Sequence, residues 1–139
     1  MNIKSKICDY KNNEKEICRI RFKVFVDEQN VPKELEIDGF DDQAKHVLTS
    51  INGIVIGTGR ILSDGHIGRV AVLKEYRGRG VGKDIMNELT LWAMEIKIKK
   101  IWLSSQWHAH SFYLDLGFLC DGEVYEEAGI DHIKMFKKL

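Results

Sequence analysis

Polar and apolar positions alternate over residues 2–8, with Ile3 and Ile7 on one side, the period of a strand with one buried face. The period then changes. Ile17, Ile20 and Val24, with Cys18, Phe22 and Phe25 beside them, recur at helical spacing. Asn12 or Asn13 can cap that helix, Glu14 and Glu16 fall in its first turn, and the pattern runs to about Val26. A short second helix and a loop are expected over 27–42. Strand-like runs return at 46–51, 54–62 and 67–73. They are separated by Asn52-Gly53, a strong hairpin signal, and by the turn Ser63-Asp64-Gly65, which predicts a three-stranded antiparallel meander. Ile85, Met86, Leu89, Trp92, Ala93 and Ile96 share one face of a helix over 81–98. Residues 101–105 read as a strand reached through that helix, hence parallel to the strand before it. A short helix from His108 to Leu116 stops at Gly117. Two last strands, 118–126 and 132–138, flank a connection over 127–131. The order β-α-α-β-β-β-α-β-α-β-β predicts an α+β fold, a mixed and mostly antiparallel central sheet flanked by helices.

Composition narrows the class. A chain of 139 residues without linker, repeat or low-complexity tract reads as a single domain, 1–139, with one core. Lys and Arg total 21 and Asp and Glu total 21, so nothing suggests attraction to nucleic acid or to an anionic membrane. No apolar run approaches the roughly 20 residues of a membrane-spanning helix, and the N-terminus lacks the apolar core of a signal peptide. Cys8, Cys18 and Cys120 are odd in number and lack metal-ligand spacing, which fits reduced thiols in a cytoplasmic protein and implies no metal. The stretch 27–42 holds seven acidic residues in sixteen. It is either a solvated acidic surface or a negatively charged mouth that attracts an amine.

The chemistry concentrates after the strand over 67–73. Gly78, Gly80 and Gly82 alternate through Arg77-Gly78-Arg79-Gly80-Val81-Gly82-Lys83 and lead into a helix. Glycines let backbone N–H groups turn toward a ligand, and a helix N-terminus adds unpaired donors and partial positive charge. Arg77, Arg79 and Lys83 would oppose that dipole unless an anion binds there, and phosphate is the usual one. A Walker A loop would need glycine at Arg77 and a hydroxyl at Asp84; a dinucleotide fingerprint would need glycine at Lys83. The pattern that fits is Arg/Gln-x-x-Gly-x-Gly/Ala, and it resembles the pyrophosphate loop of the GNAT-type N-acyltransferases, which bind acetyl-CoA.

A second stretch is similar to the same family. Ala109-x-x-Phe112-Tyr113-x-x-x-Gly117-Phe118 resembles its Asn-x-x-Ala-x-x-Phe-Tyr-x-x-x-Gly-Phe signature, with Gln106 in place of the asparagine. The segment Val24–Val31, Asp38, His46 and Gly129–His132 look like the ElaA-like subgroup. The resemblance implies that the strands 67–73 and 101–105 splay apart and that the pantetheine arm enters between them, against Val70, Ala71 and Val72. It implies that an N–H near Val72 polarises the thioester carbonyl, that the amides of Arg79 to Gly82 hold the pyrophosphate, and that Gln106, Ala109 and Phe112 complete the coenzyme A site. Tyr113 would be the general acid for the leaving thiolate. The acceptor would be a small-molecule or peptide amine, with Glu28, Glu36, Asp38, His46, His132 or a water as the base that deprotonates it. A non-catalytic acyl-CoA sensor on the same fold is the alternative. An exposed last strand could pair two subunits into a homodimer.

Overall fold

The computed structural model describes residues 2–139. Strands β1 (Ile3–Asp9), β2 (Lys45–Ile51), β3 (Ile54–Ile61) and β4 (Ile67–Val72) form an antiparallel sheet in that order. A second sheet holds β5 (Lys100–Gln106), β6 (Leu119–Glu127) and β7 (Ile130–Lys138), with β7 between the other two. This overturns the expectation of an exposed last strand able to pair two subunits: β7 is hydrogen-bonded on both sides, by β5 and β6. The two sheets touch through one parallel bridge, His66 to Trp102, where the Trp102 N–H donates to the Gly65 carbonyl at 3.0 Å and the two rings stack at 3.8 Å. Beyond the bridge, β4 and β5 belong to separate sheets and diverge.

Helix α1 (Glu14–Arg21) buries Ile17 and Ile20 and continues as a π-helix over Phe22–Glu28, two residues past the expected end. Asn13 does stand at its N-cap, but its side chain donates to the Asp9 carbonyl instead of capping the helix. The short helix α2 (Lys33–Glu36) follows. Helix α3 (Val81–Glu95) buries Val81, Ile85, Met86, Leu89 and Ala93 against the first sheet. It approaches closely because β3 carries Gly57 and Gly59; a Cβ at Gly59 would lie 2.9 Å from Ile85 Cγ2. Packing therefore explains these two glycines.

Two expected boundaries move. The helix predicted to reach 98 ends at Glu95, and Ile96 is 46% exposed. Lys97 takes a left-handed conformation there. The Lys97 N–H donates to Met94 and the Ile98 N–H to Ala93, at 3.0 and 2.9 Å, the paired bonds of a Schellman stop. Ile98 then packs on the core in place of Ile96. The connection expected over 127–131 shrinks to Ala128-Gly129, both at positive φ, so β6 and β7 run to its edges. Helix α4 (His110–Asp115) ends ahead of Gly117 as expected. No helix among the described residues is long and apolar enough to cross a membrane.

Candidate functional site

The divergence of β4 from β5 makes a wedge, and hydrogen-bond alternation shows which backbone lines it. The Leu73 N–H donates to Ile56 on β3 at 2.9 Å, and Ala71 pairs with Thr58 two residues back. Alternation turns the Ala71 peptide toward β3 and the Val72 peptide toward the open side. The Val72 carbonyl accordingly accepts a hydrogen bond from Arg77 Nε at 2.9 Å. A bulge sharpens the opening: Arg60 pairs with Gly68 and Thr58 with Ala71, so Arg69 and Val70 together oppose Gly59, with Arg69 at φ 52°.

The glycine loop joins the wedge to α3. Gly78 and Gly80 hold φ of 75° and 85°, which a side chain rarely adopts, and the space where a Cβ would stand is open at both. Gly80 is the N-cap of a 15-residue helix, and no side chain caps it. Its first N–H groups are therefore left for a ligand. Of the three cations expected around that ligand, Arg77 is engaged elsewhere. Its guanidinium grips both oxygens of Glu28, at 2.6 and 2.7 Å. Arg79 lies over the Tyr76 ring and Lys83 is exposed; neither forms an ion pair among the described residues. Outward-facing backbone in an open wedge, leading to an uncapped glycine-rich helix start beside two free cations, fits an extended ligand that carries a diphosphate.

The second signature folds onto the first. A Cβ on Gly82 would lie 3.3 Å from Phe112 Cζ, so Phe112 packs on the start of α3. Tyr113 is half-buried between Phe112 and Phe118, with edge-on contacts of 5.0 and 5.8 Å between ring centres. Burial pushes its hydroxyl pKa up to about 12, so it stays a proton donor across the working range. Tyr113, Val70, Gln106 and Ala109 line one cavity of about 480 Å³. Gln106, expected near the cofactor, exchanges two amide hydrogen bonds with Gln29, at 2.7 and 3.3 Å.

The acidic stretch divides: Asp27, Glu34 and Asp42 are exposed, as a solvated surface requires, while the other carboxylates meet arginines. Glu36 and Asp41 are buried, and arginines hold Glu36, Asp38 and Asp41. Arg21 donates to Glu36 and Asp41 at 2.6 Å each, and Arg60 to Asp41 at 2.9 Å and to Asp38. Arg69 Nη2 reaches Asp38 at 3.2 Å, while its Nε lies 3.2 Å from Glu36 but is not aligned for a hydrogen bond. Three arginines thus neutralise three carboxylates, and Glu36, Arg60 and Arg69 of this network line the cavity itself. Desolvation alone would raise the Asp38 and Asp41 carboxyls, but hydrogen bonds from Arg60 and Arg21 outweigh it and hold both below the usual range. The clue to this network lay in Arg60 and Arg69, each inside an otherwise apolar strand, where a charge needs a partner.

The base candidates separate on the same evidence. Glu28, Glu36 and Asp38 are tied to arginine. His46 is buried on β2, against the Asp41 carbonyl at 3.0 Å, and desolvation lowers its pKa. His132 lines the cavity. Its Nδ1 lies 2.7 Å from the Ile130 carbonyl and must carry the proton to bond there, which leaves the lone pair on Nε2. Glu127 lies 3.8 Å from that nitrogen.

Relatives carry the same architecture. A family described as "Acetyltransferase (GNAT) domain" matches residues 8–139. Protein ElaA of Escherichia coli (strain K12) is 36% identical over 132 residues, covering 88% of this chain and 86% of that one. Its crystal structure superposes with a TM-score of 0.86, at 32% identity over 98% of this chain and 99% of the other. An acyl-CoA N-acyltransferase from Pseudomonas aeruginosa superposes equally well, with a TM-score of 0.86 and 28% identity over 98% and 99% of the two chains. The wedge, the loop, Tyr113 and these relatives agree: the chain belongs to the GNAT acetyltransferase family, with ElaA among its homologues.

Proposed function

We propose that this protein transfers an acetyl group from acetyl-CoA to the primary amine of a small molecule or peptide. The observation that carries this reading is the outward-facing Val72 peptide, set in the same wedge whose cavity Tyr113 lines. Acetyl-CoA, when bound, supplies a thioester carbon open to attack by nitrogen. The Val72 N–H is placed to donate to the thioester oxygen as negative charge builds there. The Arg79 to Gly82 amides, with Arg79 and Lys83, serve the diphosphate. As the N–C bond forms and the C–S bond breaks, Tyr113 gives its proton to the departing sulfur. His132 Nε2, or a water held by it, takes the proton that the acceptor amine loses.

The test is release of free thiol from acetyl-CoA across a panel of small amines and peptides, beside calorimetry with coenzyme A. Thiol release that depends on an amine supports the reading. Tight coenzyme A binding with no turnover on any amine would instead favour an acyl-CoA sensor, and no binding at all would remove the donor site.

A further inference from the structure

The π-helix over Phe22–Glu28 delivers two neighbouring side chains to opposite arms of the wedge. Glu28 takes both ends of the Arg77 fork, and Arg77 also holds the Val72 carbonyl on β4. Gln29, the next residue, exchanges two amide hydrogen bonds with Gln106, the last residue of β5. Among the described residues the backbone bridge between the two sheets lies far back, at His66 and Trp102. One short segment therefore ties the two arms together at their open end. The same segment supplies Phe25, Gln29 and Val31 to the cavity wall. Wide π turns are rare and collect at functional places. Here the added residue per turn rotates Glu28 and Gln29 away from where a continuous α-helix would put them.

Stability alone does not account for these ties. The ion pair is exposed, and such pairs contribute little to folding even when bidentate. The helix is already anchored by Ile17, Ile20 and Val24, which are buried. We propose that Glu28 and Gln29 are positioning residues that link occupancy of the coenzyme A wedge to the order of the acceptor-side wall, residues 22–31. This rests on the acyl-CoA reading above. Arg77 is the joint. It stands in the donor loop, yet its charge is spent on Glu28 rather than left for an anion at the loop. Entry of a ligand along β4 fixes Val72 and the loop, hence Arg77, hence Glu28 and the wall behind it.

The test is hydrogen exchange on the full chain with and without coenzyme A, with calorimetry on the same samples. In the native protein, coenzyme A should slow exchange across 22–31 as well as in the loop. Glu28→Gln should bind coenzyme A within about threefold of native, because an exposed pair is lost and the Arg77 charge is freed toward the diphosphate. Its loop should still be protected, while the added protection of 22–31 disappears. Gln29→Ala should show the same split, and Glu28→Asp should restore part of it. Equal protection of 22–31 in native and Glu28→Gln protein overturns the proposal, and so does an unprotected segment in native protein that binds coenzyme A. Loss of binding in a folded Glu28→Gln also overturns it, because Glu28 would then belong to the donor site. Absence of coenzyme A binding in the native protein is a different failure, that of the acyl-CoA reading itself.

Discussion

On the proposed reading Tyr113 gives a proton and His132 accepts one, and their surroundings differ. Tyr113 is packed among aromatic rings, and burial keeps its hydroxyl protonated. Tyr113→Phe removes one oxygen and leaves the ring contacts intact. It should lower turnover by about 100-fold while leaving coenzyme A affinity nearly unchanged, as expected when a proton donor is lost rather than a binding group. Steady-state kinetics beside calorimetry would separate the two, and an unaffected rate would remove the acid role. His132 is held by a carbonyl on one nitrogen and left open on the other. His132→Gln should lose most of the rate in steady-state kinetics while still binding coenzyme A; a rate near native would assign the base to water. At this scale the sequence was informative about Tyr113 through its motif. It left His132 as one of several candidates, because which nitrogen is free depends on a contact within the β6–β7 hairpin turn.

Elements show where local pattern sufficed and where it did not. The meander β2–β3–β4 was legible because Asn52-Gly53 needs no tertiary help to turn; both residues sit at positive φ, as a two-residue hairpin demands. The β6–β7 hairpin uses the same backbone with Ala128-Gly129, a weaker signal, and its turn was drawn too long. Ala128 at φ 52° bears a strain that asparagine tolerates better. Ala128→Asn should therefore stabilise the fold by about 0.5–1 kcal/mol, read from the urea midpoint. A lower midpoint would mean that the side chain, not the backbone, decides at this turn. The end of α3 was missed for a related reason. Lys97 takes the place usually given to glycine at a helix stop, so nothing in the residue type marks it. The π-helix was equally hidden, since Phe22, Val24 and Phe25 satisfy a helical period in either winding.

For the whole molecule, the ionic network joins α1, the acidic stretch, β3 and β4, and three of its members, Glu36, Arg60 and Arg69, line the cavity. Asp41 stands between Arg21 and Arg60, and its removal leaves these two buried cations side by side with one carboxylate partner each, Glu36 and Asp38. Asp41→Asn should cost about 3 kcal/mol or more by chemical denaturation, as breaking a buried pair does. A loss near zero would mean that Glu36 and Asp38 hold both arginines without it. The pH dependence follows from the sign of the shifts. The folded pKa values of Asp38 and Asp41 lie below the unfolded value of about 3.9, so their stabilisation is complete above that pH and is lost as pH falls below it. His46, lowered by burial, acts in the same direction from about pH 6.5 downward, where the unfolded chain takes up its proton first. Acid titration of the native protein should show both steps, and Asp41→Asn should weaken the lower one. By itself the sequence determined the element order, the glycine loop and the Phe112-Tyr113 signature, since these rest on residues near one another in the chain, where periodicity and turn chemistry act. Only the tertiary structure decided that β7 lies between β5 and β6, that Glu36, Asp38 and Asp41 are neutralised by Arg21, Arg60 and Arg69, and that Arg77 reaches Glu28. Those pairings join residues far apart in sequence, and a charge carries no mark of its partner until the fold brings the two within a few ångströms.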